Sequence, residues 1–387
     1  MSKMLYFFII VSFLDTFIQL PIITPFAIEL GASEILTGAI VAVYSLTNMV
    51  GNIIGGHWID KYGRKRMLFT GMISVFVILL FYPLAQSGEQ LFVVRFMHGL
   101  AGGLLIPAAF AYIGDQTIKG SRGKTMAYTG AAIGIAAIIG PAIGGSMAAR
   151  SEVEYVFLLV AGLFFITSLL VLKYLHESFV SRERGKVNLK HFIPLLKTPA
   201  LLQASLGAFA LMVSNGTLAF ALPLKVQELG MTTETTGMLL STFGIMALVV
   251  FLTPINQIYD RFSPLSLVAA GLTLIGIALF ILSVTPFLWI GIVAMIVYGT
   301  GFAFVFPSMN RMVADASTQV DRGKAYGIFY AFFSLGVVAG SFISGIITEI
   351  WGIPFIFSGV MMLFSAGLLL YIAKKSSFHT RARKISL

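Results

Sequence analysis

The sequence predicts an all-α integral membrane protein of twelve transmembrane helices, organised as two six-helix pseudo-repeats. Three observations predict it: the composition, a regular succession of apolar runs, and an internal repeat. Of 387 residues, 58% are hydrophobic and only 11% charged, with a mean hydropathy of +0.93. An ordinary soluble protein carries about a quarter charged residues, so this chain lacks the polar surface to cover itself in water. A lipid bilayer is its expected surrounding. The 39 glycines and 13 prolines fall mostly inside apolar runs, which transmembrane helices tolerate and soluble ones do not. With no cysteine, disulfides, thiolate chemistry and Cys-based metal sites are excluded. The net charge of +10 does not indicate a nucleic-acid partner, which would require a basic face on a soluble module.

Apolar runs of about 20 residues, the length that spans a bilayer, fall near 4–27, 35–58, 67–86, 90–113, 125–149 and 154–175. They resume near 200–224, 235–258, 265–284, 286–308, 323–349 and 352–373. The implied organisation is an N-terminal half (1–175), a linker loop (176–198), a C-terminal half (199–375) and a basic tail (376–387). The first run is long enough to span and is followed by no small-residue cleavage site, so it is expected to be a helix and not a cleaved signal.

Lys and Arg report the sides of the membrane. With the N-terminus inside, all but Arg95, Arg150 and Lys225 of the 26 cations fall in inner segments. Both termini and the 176–198 loop are therefore expected on the cytoplasmic side of the plasma (inner) membrane. The densest inner patch is Gly55-Gly-His-Trp-Ile-Asp60-Lys-Tyr-Gly63-Arg64-Lys65-Arg66-Met67, a short hinge between two long apolar runs.

Laid on itself at an offset of 200, the chain matches Asp60 with Asp260, Pro107 with Pro307, Asp115 with Asp315, and Arg122-Gly-Lys124 with Arg322-Gly-Lys324. Gly99, Gly140 and Gly145 meet Gly299, Gly340 and Gly345. Overlapping oily helices match Leu with Leu by chance, but not this set of Asp, Pro and Arg-Gly-Lys. Two six-span halves in parallel register imply a pseudo-twofold along the membrane normal, with a cavity between them.

Gly56-His-Trp-Ile-Asp60-Lys-Tyr-Gly63-Arg64-Lys65-Arg66 resembles the loop signature between spans 2 and 3 of the major facilitator superfamily. Arg95-Phe-Met-His-Gly99 is similar to that superfamily's intramembrane Arg–Gly signature in span 4. Gly140-Pro141-Ala-Ile-Gly144-Gly145 looks like the span 5 signature of its twelve-span drug/proton antiporter branch. One departure is Ala136, where the family pattern usually has Gly. The resemblance covers essentially the whole chain and implies transport by alternating access, with an export bias.

Asp15 is the only carboxylate well inside an N-terminal span. An ionised carboxylate in hydrocarbon costs several kcal/mol, so such groups usually face a cavity and carry function; the alternative is a carboxylate neutralised by a partner for structure alone. Its repeat mate, Asn215, is uncharged. Gln19 lies one turn along the same face. Arg95 is the only intramembrane cation and cannot deprotonate; the resemblance implies that it tunes the protonation of Asp15, while anchoring to backbone carbonyls is the competing role. His98 shares the Arg95 face and could relay protons, although a lone His there is more often a packed bystander. Gln19, Asn48, Asn52, His98 and Asn215 are candidates for lining a cavity; Gln203, Asn256 and Gln257 are candidates for cavity lining or interhelical hydrogen bonds. Small residues on spans 5 and 11, among them Gly140, Gly144, Gly145 and Gly340, permit close helix approach, and Pro141 removes a backbone donor.

The expected function is proton-coupled antiport that exports small amphipathic or cationic molecules, driven by a proton gradient and requiring no cofactor or metal. No Gly-x4-Gly-Lys-Ser/Thr loop, His-Glu-x-x-His or Gly-x-Ser-x-Gly motif is present, so neither ATP-driven transport nor an enzyme is indicated. The alternatives are export or proton-coupled import of one metabolite, and a non-transporting membrane receptor. The expected partners are a small-molecule substrate, protons and lipid, with the chain acting as a monomer. The resemblance also implies a cytoplasmic gate: Arg64 paired with Asp115, and Asp60 near the start of span 11.

Overall fold

The computed structural model describes residues 3–116, 122–178, 193–317 and 322–385. Among them every regular element is helical: α1 (Lys3–Ile18), α2 (Ile23–Glu29), α3 (Glu34–Tyr62), α4 (Arg64–Leu79), α5 (Gly88–Gly102), α6 (Leu105–Gln116), α7 (Arg122–Ala148) and α8 (Glu154–Tyr174). Then follow α9 (Ile193–Leu196), α10 (Pro199–Glu228), α11 (Thr233–Leu252), α12 (Ile258–Arg261), α13 (Pro264–Ser283), α14 (Leu288–Asp315), α15 (Arg322–Trp351) and α16 (Pro354–Ile385). Ten stretches are long and apolar enough to cross a membrane, and α1 with α2 forms a further, bent span. Of the fifth expected run, the described apolar part is Ala132–Ala148.

Side-chain caps and chain breakers set the helix ends. Ser33 and Ser87 sit before α3 and α5 with extended backbones, and their hydroxyls accept from Leu36 N and Gln90 N, satisfying donors with no intrahelical partner. Three expected runs are broken where the sequence was read as continuous. The first bends by 45° between Ile18 and Ile23, where Pro21 cannot donate to the helical ladder. The fourth is interrupted between α5 and α6 at Gly103, where a Cβ would lie 2.5 Å from Asn48 O, so the break lets α3 and α5 approach. The eighth stops at Leu252 before Pro254. Asn256 and Gln257 are therefore exposed in a 3-10 turn and not within a span. α16 continues into the expected basic tail as far as Ile385.

The chain forms two compact units. The first comprises Met1–Lys186, Leu218–Gly244 and Ser341–Ile350; the second comprises Val187–Thr217, Ile245–Gly340 and Trp351–Leu387. In the first, α1 packs on α7, α3 on α5 and α4 on α8, around a core including Phe8, Ile18, Tyr82, Phe157 and Phe164. In the second, α13 packs on both α14 and α16.

Candidate functional site

Inside the first unit the bundle buries a closed network of charged and polar groups. Asp15, on α1, is 1% exposed, Arg95 on α5 is 5% exposed, and His98 is fully buried. Asp15 and Arg95 do not touch directly. Gln19 bridges them: its Nε2 donates to Asp15 Oδ1 at 2.7 Å, and its Oε1 accepts from Arg95 Nη1 at 2.6 Å. The amide has only this orientation, because a carboxylate cannot donate and a guanidinium cannot accept. Arg95 also donates Nε–H to Ile40 O at 3.3 Å and lies 4.4 Å from the centre of the Tyr44 ring, a cation–π contact. Carbonyl, amide and ring together hold the guanidinium, so the anchoring and tuning roles weighed from sequence are not exclusive.

His98 sits against Asp15 itself. Its Nε2 is 3.1 Å from Asp15 Oδ2, off the line a hydrogen bond requires, and its Nδ1 is 2.8 Å from the Tyr82 hydroxyl. Tyr82 is fixed in turn by stacking on Phe157 with ring centres 4.0 Å apart. Tyr44 meets the His98 ring edge-on at 5.1 Å. His98 is packed and hydrogen-bonded, as a bystander would be, and it also stands directly against the carboxylate. Tyr44 and Tyr82 escaped the sequence reading because an aromatic phenol in an apolar run carries no signal there; only folding brings it to a charge.

At the basic-loop end, Arg64 donates Nε–H to Asp115 Oδ2 at 3.3 Å and Nη1–H to Ile59 O at 2.9 Å. Gly63 separates α3 from α4 with φ of +101°, a conformation that favours glycine. Glu177 then caps α4, accepting from Arg64 N at 2.7 Å and Lys65 N at 3.2 Å. An anion is favoured at a helix N-terminus. Ser178 Oγ donates to Asp115 at 2.9 Å, so the start of the expected linker closes onto this turn. Gly56 and Asp60 lie within α3, but their surroundings, like residues 318–321, fall outside the described residues. Nothing in the charge pattern distinguished Glu177 beforehand.

The small residues of α7 meet two helices. Gly140 packs against Phe17 and Ile18 of α1, where a Cβ would lie 2.8 Å from Phe17 Cβ. A Cβ at Gly145 would lie 2.5 Å from Thr233 O and 3.1 Å from Gly237 Cα on α11. Gly144 abuts the Ile18 carbonyl, and α7 runs through Pro141 as one helix. Asn52 donates to Asn48 at 3.1 Å on α3, part-buried and apart from the Asp15 network. In the second unit, Ser214 Oγ is 2.8 Å from the Tyr298 hydroxyl, and Asn215 lies next to Ser214 on α10. Among the described residues no group of three or more His, Asp or Glu side chains is placed to hold a metal ion.

The Major Facilitator Superfamily model matches twice, over residues 5–204 and 204–385. Multidrug resistance protein 1 of Bacillus subtilis (strain 168) is 26% identical over 378 residues, covering 96% of this chain and 95% of that protein. Multidrug resistance protein MdtG of Salmonella dublin is 26% identical over 356 residues, covering 89% and 86%. Among solved structures, a POT family transporter in complex with a thioalcohol-conjugated peptide superposes with a TM-score of 0.81 at 13% identity, covering 96% of each chain. The human organic anion transporter MFSD10 gives 0.70 at 16% identity, covering 95% and 98%; at such identities the likeness is one of fold. The chain is a secondary transporter and not an enzyme, and it belongs to the major facilitator superfamily.

Proposed function

We propose that the chain is a proton-coupled antiporter that exports small amphipathic or cationic molecules from the cytoplasm by alternating access, with Asp15 as the proton site. The observation that carries this reading is the burial of Asp15 in a network with one permanent cation. With Asp15 ionised and Arg95 charged, the cluster is neutral; a proton on Asp15 leaves the guanidinium uncompensated. A buried charge without its partner is strongly unfavourable, so loading and unloading Asp15 shifts the preference of these helices between arrangements. A cationic substrate can take the place of the proton beside the ionised carboxylate. The likeness to proteins named multidrug resistance proteins supports the substrate class, and the scarcity of cations in the opposite loops supports cytoplasmic termini in an inner membrane. We take the functional unit to be a monomer of two six-helix halves.

In inverted membrane vesicles, a panel of unrelated lipophilic dyes should be accumulated only under an imposed pH gradient and should compete with one another. Asp15→Asn should abolish uphill accumulation while leaving downhill exchange; a variant that still concentrates dye would overturn the assignment.

The Arg64 turn is proposed as a cytoplasmic latch of the outward-facing state, with Asp60 as its contact to span 11. Asp60→Asn should lower turnover several-fold with dye affinity nearly unchanged, as expected when a conformational step is altered; wild-type turnover would remove the latch from the scheme.

A further inference from the structure

His98 is the titratable group of the buried cluster that this coupling scheme leaves idle. Three groups face its ring: Asp15 from α1, Tyr44 from α3 and Tyr82 from the turn after α4; Arg95 lies one turn earlier on its own helix. An ionised Asp15 can only accept, which favours the imidazole hydrogen on Nε2, the ring nitrogen that faces it. The Tyr82 hydroxyl, 2.8 Å away, then donates to His98 Nδ1. An imidazole accepting at Nδ1 carries its ring hydrogen on Nε2 when neutral. Nε2 is buried, has no aligned hydrogen-bond partner, and lies 3.1 Å from Asp15 Oδ2. A carboxylate and an imidazole this close, both away from water, are placed to act on one proton as a unit.

We infer that Asp15 and His98 take up the coupling proton together, and that Tyr82 is the positioning residue that keeps Nδ1 occupied and Nε2 turned to the carboxylate. The step binds one proton, at Asp15 Oδ2 or at His98 Nδ1 with the Tyr82 hydroxyl turning to accept, and later releases it; no other bond changes. The inference rests on Asp15 being the proton site, and it adds a second proton-holding atom and the residue that orients it. Gln19 serves a different end, linking the carboxylate to Arg95 without exchanging protons.

The test uses the full chain in proteoliposomes, with a lipophilic cationic dye as probe and dye–proton exchange followed from roughly pH 5 to 9, the range in which histidine titrates. His98→Gln should flatten the pH profile while retaining dye binding. Tyr82→Phe should displace its midpoint by about one pH unit, as loss of one hydrogen bond would, with dye affinity unchanged. The second readout is nitrogen NMR of the 15N-histidine-labelled chain, which contains five histidines. The His98 ring should be a single Nε2–H tautomer in the wild type and a mixture in Tyr82→Phe. Wild-type pH profiles in both folded variants, or an unchanged tautomer in Tyr82→Phe, would overturn the inference. Should His98→Gln fail to fold, the Tyr82→Phe profile and tautomer decide alone. Asp15→Asn separates the two layers: uphill transport in that variant defeats the proton-site reading, whereas its loss beside unaltered His98→Gln and Tyr82→Phe profiles defeats only the pair.

Discussion

The two repeats place different chemistry at matching positions. On α1 and α5 the buried ionisable residues are Asp15, Arg95 and His98; two hundred residues on, in α10 and α14, the same positions hold Asn215, Met295 and Tyr298. Within the first unit a carboxylate stands against an imidazole and is joined to a guanidinium through Gln19. Within the second, Tyr298 meets Ser214 at 2.8 Å, and Ser214, Asn215 and Tyr298 are all uncharged near neutral pH. The helix-ending turns differ in the same sense. Gly63 leaves α4 without a side-chain cap, and the Glu177 carboxylate supplies one; Ser263 caps α13 with its own hydroxyl, followed by Pro264 where the first repeat has Arg64. Asp115 is thus paired across helices with Arg64, whereas its mate Asp315 meets only Arg311 one turn back, at 3.7 Å. The fold needs the helices and their contacts in both halves, but the charges that could couple protons and lock a gate are concentrated in one.

The sharpest way to break this contrast is to give the first repeat the second's residue. Arg95→Met leaves Asp15 buried with its permanent counter-charge removed, at a cost of about 3–5 kcal/mol. Thermal unfolding in detergent should show a large fall in Tm, and Asp15→Asn added to Arg95→Met should recover most of it. A single and a double variant equally unstable would mean that Arg95 stabilises through Ile40 and Tyr44 and not through the carboxylate.

Packing, unlike charge, should be symmetric. Gly140 lets α7 touch the α1 backbone at Phe17 and Ile18, and its mate Gly340 lets α15 touch the α10 backbone at Val213. Gly140→Val and Gly340→Val should each destabilise by about 1–3 kcal/mol, the usual penalty of overpacking, and by similar amounts. A difference of several kcal/mol between them would show that the repeat does not extend to the helix contacts.

These two levels were not equally legible in the chain. Helix existence and the repeat follow from run length, scarce charge and marked residues such as Asp60, Pro107 and Arg122, all of which are local properties. Asp15 and Arg95 stood out for the same reason, since a charge in an apolar run is conspicuous. Breaks at Pro21, Gly103 and Pro254 were less visible, because hydropathy averages over single residues that stop or bend a helix. The contacts of His98 were not legible, although its residue type already raised a proton relay. They depend on Tyr82, Tyr44 and Asp15 arriving from three other elements, and neither spacing on α5 nor residue type encodes that arrival. Glu177 is a similar case, an ordinary surface carboxylate until the end of α8 returns it to the N-terminus of α4.

The smallest expected effect tests whether the second repeat's cluster is only structural. Tyr298 is fully buried, and its hydroxyl is held by Ser214, which also donates to Leu211 O at 2.6 Å. Tyr298→Phe deletes one hydroxyl and leaves Ser214 with its backbone acceptor, so the loss should be about 1 kcal/mol, that of a single neutral hydrogen bond. In dye–proton exchange the variant should keep the wild-type pH midpoint, because the Ser214 hydroxyl that holds it carries no charge to couple. Tyr82→Phe removes the same hydroxyl from the matching bundle and should move that midpoint. Equal shifts from both tyrosines would mean that a phenol affects coupling through packing, and a shift from Tyr298→Phe alone would move the proton chemistry to the half of the molecule that has no buried carboxylate to carry it.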